Sequence, residues 1–371
     1  MSKIENNIIT NDDAERMLSV GVDTHHQQPR SGNFVHIDDK TIGAESFADG
    51  LEVMDIKSAL GKHSWLEEYY WKNVSPDKDE YTKMTFEAEP AGYFIRSLPG
   101  AKVEVPVQAC LYLKQVGEVQ KVHNIVIAEE GSELTIITGC ATSTSKQKGT
   151  HVGVSELYVK KNATLNFAMI HNWGDEVEVR PRSVTTVEEN GTYINNYFCF
   201  KPVTMLQMYP TVILNGANSA ATMNSVLAAL PGSTLDVGSR IQLKGENSRG
   251  ESISRVITTG GTVISRGHLI GEVPGIRAHL ECSGLILSND GVIKAIPELE
   301  GSCDGLEMSH EAAVGKIAED EVLYLMTRGL TREEATSAIV RGFLRVELKG
   351  LPQNLKKQID DLTAKVAADS L

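Results

Sequence analysis

The stretch "EGSCDGLEMSHEAAVGKI" gathers Cys303, His310 and Glu311 within a few residues, and Cys282 lies a short way upstream. Thiolate and imidazole are the side chains that suit iron, zinc and iron–sulfur chemistry, and a carboxylate adds a harder oxygen ligand. The spacing matches no closed zinc motif, because no C-x-x-C pair occurs. His310-Glu311 begins like a zinc protease signature, but Val314 stands where the second histidine is needed. A phosphate-binding G-x-x-x-x-G-K-[ST] loop fails as well, since His310 occupies the first glycine position before Gly315-Lys316. Neither a G-x-G-x-x-G dinucleotide turn nor a G-x-S-x-G nucleophile elbow is present. The plain alternative is that each cysteine is a small buried strand residue and that His310 is a cap or a surface hydrogen bonder. Spacing alone leaves both readings open.

The elements that would position these residues change character along the chain. Residues 1–95 are polar and mixed. "NDDAERMLSV" offers an Asp cap before a short helical pattern, "IKSALGKHSWLEEYYWKN" reads as an aromatic-bearing helix, and "SPDKDE" reads as loop. This predicts a mainly helical N-terminal region. Residues 96–305 show strand-like alternation in "AKVEVPVQACLYL", "HNIVIAEEGSELTIITGC", "ELYVKKNATLNFAMI" and "RVITTGGTVISRGHLI". Turns such as "EEGSEL", "KKNATL", "EENGTY", "LPGSTL" and "NDGVI" recur mostly at roughly 25–31 residues, inside the range of stacked-repeat architectures. A single rung cannot bury its inward face, so stacking rungs into a parallel β-helix satisfies both apolar side chains and backbone. An antiparallel sandwich uses similar spacing and stays as the alternative. From residue 306 to 371 helices are expected. "EDEVLYLMTRGL" ends on Gly329, Thr331 and Glu334 have capping-box spacing, and "LPQNLKKQIDDLTAKVA" is a third candidate helix.

Composition narrows the class of function. The 371 residues carry a formal charge of −13, which argues against a nucleic-acid surface built from Lys and Arg. No apolar run approaches the ~18 residues of a membrane span, and the first residues lack an apolar leader core. A soluble, cytoplasmic protein without a membrane partner is expected. Five scattered cysteines (Cys110, Cys140, Cys199, Cys282, Cys303) argue against a disulfide framework.

Several longer stretches are recognisable. "VIAEEGSELTIITGC", "HVGVSELYV", "IHNW", "AHLECSGLILSNDGVIKAIPELE" and "MSHEAAVGKIAEDEVLYLMTRGLTREEATSAIVRGFL" resemble the SufB/SufD family of iron–sulfur cluster assembly scaffolds, over about residues 85–350. The resemblance implies a mainly β fold, a right-handed parallel β-helix flanked by N- and C-terminal helical regions. It implies a non-catalytic scaffold on which a transient iron–sulfur cluster is built and passed on. The implied partners are a SufC-like ABC ATPase bound through the C-terminal helices, a second copy or a SufB/SufD paralogue bound through the β-helix, and sulfur-donor and cluster-acceptor proteins. ATP would enter only through the ATPase, and a reduced flavin in the complex is compatible with the family.

By the same resemblance, Cys282, His310 and Glu311 correspond to the assembly site, and Cys140 to the cysteine that takes or carries sulfur inward. Glu311 matches the SufB side, whereas Ser309 matches the SufD side. This mixture implies one SufBD-type chain serving both roles as a homodimer. Gly291 replaces a cysteine found in SufB, and Cys303 has no family counterpart, so it stays only as a further candidate ligand. A structural β-helix adaptor that anchors or regulates an ATPase without carrying a cluster is the reading from a different class. Polysaccharide cleavage, another use of β-helices, lacks the carboxylate pair it needs.

Overall fold

The computed structural model describes residues 8–25, 27–144 and 148–346, with 356–357, 359–361 and 364 near the C-terminus. Strands dominate it, and they stack in two sheets of ten and eleven strands. Almost every pairing is parallel and in register. Thr192 lies opposite Ala220, Ala220 opposite Arg249, Arg249 opposite Arg277, and Arg277 opposite Glu307. The sheets are the two walls of a parallel β-helix, and the sandwich alternative is excluded.

Alternation decides which side chains go inside. In Thr234–Leu243 (TLDVGSRIQL) every second residue is buried, with Leu235, Val237, Ile241 and Leu243 inward and Asp236 and Arg240 outward. The expected turns bring the chain back at the same height each time. Asn162, Asn190, Asn218 and Asn247 occupy the left-handed region at φ 56–58°, where Asn is tolerated better than other side chains. Their amides also stack. Asn190 Nδ2 donates to Asn162 Oδ1 at 3.0 Å, and Asn218 Nδ2 to Asn190 Oδ1 at 3.1 Å.

The β-helix is longer than the sequence pattern indicates, at both ends. Within residues 1–95, expected to be mainly helical, lie the strands Gly32–Ile37, Lys40–Ser46 and Leu51–Asp55. Gly32–Ile37 pairs in parallel with Val107–Leu113 and is a true first rung, covered on its far side by antiparallel Lys40–Ser46. These strands are short and carry polar residues, which hid their period of two. The expected long aromatic helix is broken into α2 (Ile56–Lys62) and a single 3-10 turn at Ser64–Glu68. Helix α1 (Asn11–Ser19) is capped by Thr10 rather than by an aspartate, in a capping box with Asp13. At the other end, Glu307–Gly315 is a strand, so the β-helix runs past residue 305 and carries His310 and Glu311.

The two ends differ. The first rung is covered by the antiparallel strand, whereas among the described residues the last two strands, Val292–Gly301 and Glu307–Gly315, each have a ladder partner on one side only. Val292, Ile296, Leu299 and Val314 are exposed there. Along the flank, α1 and its following turn (Met17, Val20, Val22) join the outward-facing Ile137, Ala168 and Ile170 in one buried cluster. The C-terminal helices are α4 (Glu319–Thr327), which precedes the expected Gly329 turn, and α5 (Arg332–Phe343), which has the expected Thr331–Glu334 capping box. Val340 of α5 and Leu344 belong to the same outer cluster as Val226, Ile257 and Leu285. The third candidate helix falls largely outside the described residues. No described helix is long and apolar enough to cross a membrane.

A buried carboxylate fastens the arm carrying α2 and α3 (Glu80–Phe86) to the strands. Glu156 is fully buried and accepts from the backbone N–H groups of Trp71 (2.6 Å), Asn73 (2.5 Å) and Val74 (3.0 Å). His123 Nε2 lies 2.7 Å from its other side, and the ring is stacked against Tyr70. Burial holds the His123 pKa below its usual value, against the pull of Glu156, so the ring is a neutral donor. Trp71 sits at φ +58°, a costly conformation for a bulky residue that the carboxylate compensates. Glu156→Gln places an amide donor against backbone donors. It should lower stability by about 1–3 kcal/mol in chemical denaturation; a change within the scatter of surface substitutions would show that the clasp is not needed.

Candidate functional site

Cys282 sits in the strand Arg277–Ile286, whose residues Ala278, Leu280 and Cys282 face the interior. It is 2% exposed. Burial pushes its thiol pKa up, partly offset by a hydrogen bond with Ser265. In the ladder it lies between Ser254 on the rung before and Ala312 on the rung after. His310 lies opposite Leu280, and Glu311 opposite Glu281. Consecutive strand residues point to opposite faces. His310 therefore takes the inward-facing side, two positions along from the Cys282 row, while Glu311 takes the outer side.

Both His310 and Glu311 are exposed on the last strand. Among the described residues no three His, Cys, Asp or Glu side chains are grouped so as to hold a metal ion. The residues assigned by resemblance thus share one edge of the β-helix without forming a closed ligand set within one chain. Cys303 lies in the turn between the last two strands, and it is the one cysteine of the five that is not buried.

On the outer face of the Cys282 strand, charge links the edge to the C-terminal helices. Glu281 pairs with Arg255 at 2.7 Å, and the Arg255 guanidinium lies 5.8 Å from the ring centre of Phe343 on α5. Glu281 is the residue that Glu311 stacks upon.

Cys140 is far from this edge. Its row runs inward-facing through His171 and Cys199, then Leu227, Val256 and Gly284. Those five strand spacings of ~4.8 Å put it roughly 24 Å from the Cys282 rung. Cys140 is completely buried, and burial raises its thiol pKa well above the usual value. Its neighbour Gly139 faces the N-terminal arm, where an added Cβ would come 2.5 Å from Val20 Cγ2. The glycine lets the arm lie flat over this strand and close it from outside.

Between the two cysteines the interior is partly polar. A cavity of about 60 Å³ is lined by His171 and Tyr197 toward the Cys140 side and by Ser254 and Cys282 at the other. His171 Nδ1 lies 2.8 Å from the Tyr197 hydroxyl, and its Nε2 is buried without a partner. None of these lining residues except Cys282 stands out in the sequence as a site residue. The signal that finds them is the rung period, which puts Tyr197, Ser225, Ser254 and Cys282 in one row at 28- or 29-residue steps.

Comparison with known proteins agrees with this architecture. Residues 111–343 match the family model described as SUF system FeS cluster assembly, SufBD core domain. An iron-sulfur cluster assembly SufBD family protein of Archaeoglobus fulgidus is 54% identical over 347 residues, covering 94% of this chain and 93% of that one. A protein of the same description from Methanothermobacter thermautotrophicus is 51% identical, covering 92% of this chain and 84% of its own. One from Staphylococcus epidermidis is 30% identical, covering 84% and 68%. With a parallel β-helix matched by the family's core model over most of its rungs, this chain belongs to the SufBD family of the SUF iron–sulfur cluster assembly system.

Proposed function

We propose that the chain is a non-catalytic scaffold subunit on which a nascent iron–sulfur cluster is assembled and from which it is transferred. The observation that carries this reading is the position of Cys282 one rung inside an unpartnered edge strand that bears His310 and Glu311. A thiolate, an imidazole and a carboxylate together give mixed ligation, which holds a cluster less firmly than four thiolates and favours release. Among the described residues of one chain the set is incomplete. We take the open edge, with its exposed Val292, Ile296, Leu299 and Val314, to pair with a second copy that doubles the available ligands. Cys303 is close enough in sequence to join them but is not required.

ATP hydrolysis belongs to a SufC-like partner in this reading. Helix α4 exposes Leu323, Tyr324 and Met326, an apolar group left uncovered among the described residues. Force on α4 and α5 would reach the site through Phe343, Arg255 and Glu281, loosening the edge when the ATPase pair closes. Cys140 would deliver sulfur from the arm side, and the partly polar interior connects its row with Cys282.

Two experiments test these assignments. In anaerobic reconstitution with iron and sulfide, Cys282→Ser should lose most of the cluster absorption of the parent. Equal absorption would overturn the ligand assignment, and an ATPase complex with no cluster at all would favour the adaptor role. Separately, a chain with Tyr324→Glu and Met326→Glu should lose co-purification with the ATPase while its unfolding free energy stays within about 0.5 kcal/mol of the parent, as for other exposed sites. Undiminished co-purification would place the docking surface elsewhere.

A further inference from the structure

One part of the outer wall gathers cations in a chain whose net charge is −13. It lies where two successive rungs are interrupted by proline. Pro181 separates the strands Glu176–Val179 and Arg182–Val187, and Pro210 separates Met205–Met208 and Thr211–Leu214. Neither proline has an N–H with which to continue the ladder. Around these breaks stand Arg180, Arg182 and Tyr209, with Arg240 and Arg266 on the next two rungs. The loop before α3 adds Lys78 and Asp79 from the arm.

Most of these cations are matched. Arg180 pairs with Glu178 at 2.9 Å, Arg266 with Asp236 at 2.6 Å, and Arg182 with Asp79. Arg182 also donates to the Gln207 backbone oxygen at 3.2 Å and to its Oε1 at 2.9 Å. Arg240 is the exception. Among the described residues it forms no ion pair, and its guanidinium lies 5.3 Å from the ring centre of Tyr209. Neither its buried Nε nor the buried Tyr209 hydroxyl has a hydrogen-bond partner. Desolvation and the charges of Arg182 and Arg240 lower the Lys78 pKa, against the pull of Asp79, so these cations crowd one another.

Buried donors are normally satisfied, and crowded like charges call for a counter-charge. The carboxylates of Asp79, Glu178 and Asp236 are engaged with other arginines. The charge of Glu298, from the strand Val292–Gly301, acts on Tyr209 and Arg266, yet it leaves the Arg240 Nε and the Tyr209 hydroxyl without a partner. A guanidinium fork, a phenol and an ammonium come from two rungs and the arm. A tetrahedral anion with several acceptor oxygens suits them better than a flat carboxylate with two.

We propose that Arg240, Tyr209 and Lys78 form a seat for a phosphate group, either inorganic phosphate or the phosphate of a small monoester, bridging the arm and the β-helix wall. Arg240 and Tyr209 donate to its oxygens, and Lys78 supplies a point charge at the rim. The seat lies on the other sheet from Cys282 and does not rest on the scaffold reading.

The test uses the full-length protein, freed of phosphate and titrated calorimetrically with inorganic phosphate against sodium chloride at matched ionic strength. The parent should bind phosphate saturably and give no saturable response to chloride. Arg240→Gln should weaken binding by about tenfold or more, the scale of a hydrogen bond to a charged group. Lys78→Gln and Tyr209→Phe should each weaken it by about threefold or more, and Tyr209→Phe, which removes only a hydroxyl, serves if Arg240→Gln does not fold. Lys102→Gln, which removes an exposed cation paired with Glu133, should leave binding unchanged. A parallel titration with glycerol 3-phosphate separates the sources. Tighter binding than inorganic phosphate assigns the seat to an organic ester, equal or weaker binding assigns it to free phosphate, and both support the seat. A parent that binds neither compound saturably overturns the proposal without any variant. So does parent-like affinity in any folded one of the three site variants, or an equal loss in Lys102→Gln.

Discussion

Each rung of this molecule is stacked in register on the one before it, and every other feature depends on that registration. A side chain's height and facing follow from its place in a period of about 28–31 residues, so residues far apart in sequence become neighbours along a row. The rows can be apolar, as in Leu227–Val256, or polar, as in Ser225–Ser254–Cys282. The asparagine ladder at the turns and the parallel backbone pairing keep the registration. The same constraint leaves one liability. A stack must end, and here it ends at a strand with no second ladder partner among the described residues.

That ending explains how the site is divided. Adjacent residues on a strand face opposite ways, so His310 and Glu311 cannot both lie over Cys282. Cys282 belongs to the interior, His310 to the open end, and Glu311 to the outer wall above Glu281. A candidate site spread over three surfaces of one edge fits the proposed reading, in which another molecule completes it and movement of the helices outside disturbs it. The Glu281–Arg255–Phe343 contacts supply the physical connection to those helices.

Much of this was legible in the sequence, and the parts that were not share a cause. Long rungs with glycine or asparagine turns showed the β-helix, and the Thr331–Glu334 pair marked the start of α5 correctly. Short rungs such as Gly32–Ile37 escaped because a few residues with a polar member do not establish a period of two. Glu307–Gly315 escaped because it is exposed, so its apolar alternation is weak. Cys303, conspicuous beside His310 in sequence, lies in a turn, while Cys282 is placed on the neighbouring rung. Ser254, Ser265, His171 and Tyr197 carry no motif. They acquire meaning only when the chain is folded into rows, as does the Glu156 clasp, whose partners are more than 80 residues apart.

The central claim is that the open edge of the β-helix completes its ligand set only in a pair of chains. Native mass spectrometry of the anaerobically reconstituted protein reads this directly, since it weighs iron, sulfide and chains together. The account predicts iron and sulfide on the dimer and none on any monomer present in the same spectrum. A monomer that carries the full cluster, or a dimer that holds one complete cluster in each chain independently, would contradict it.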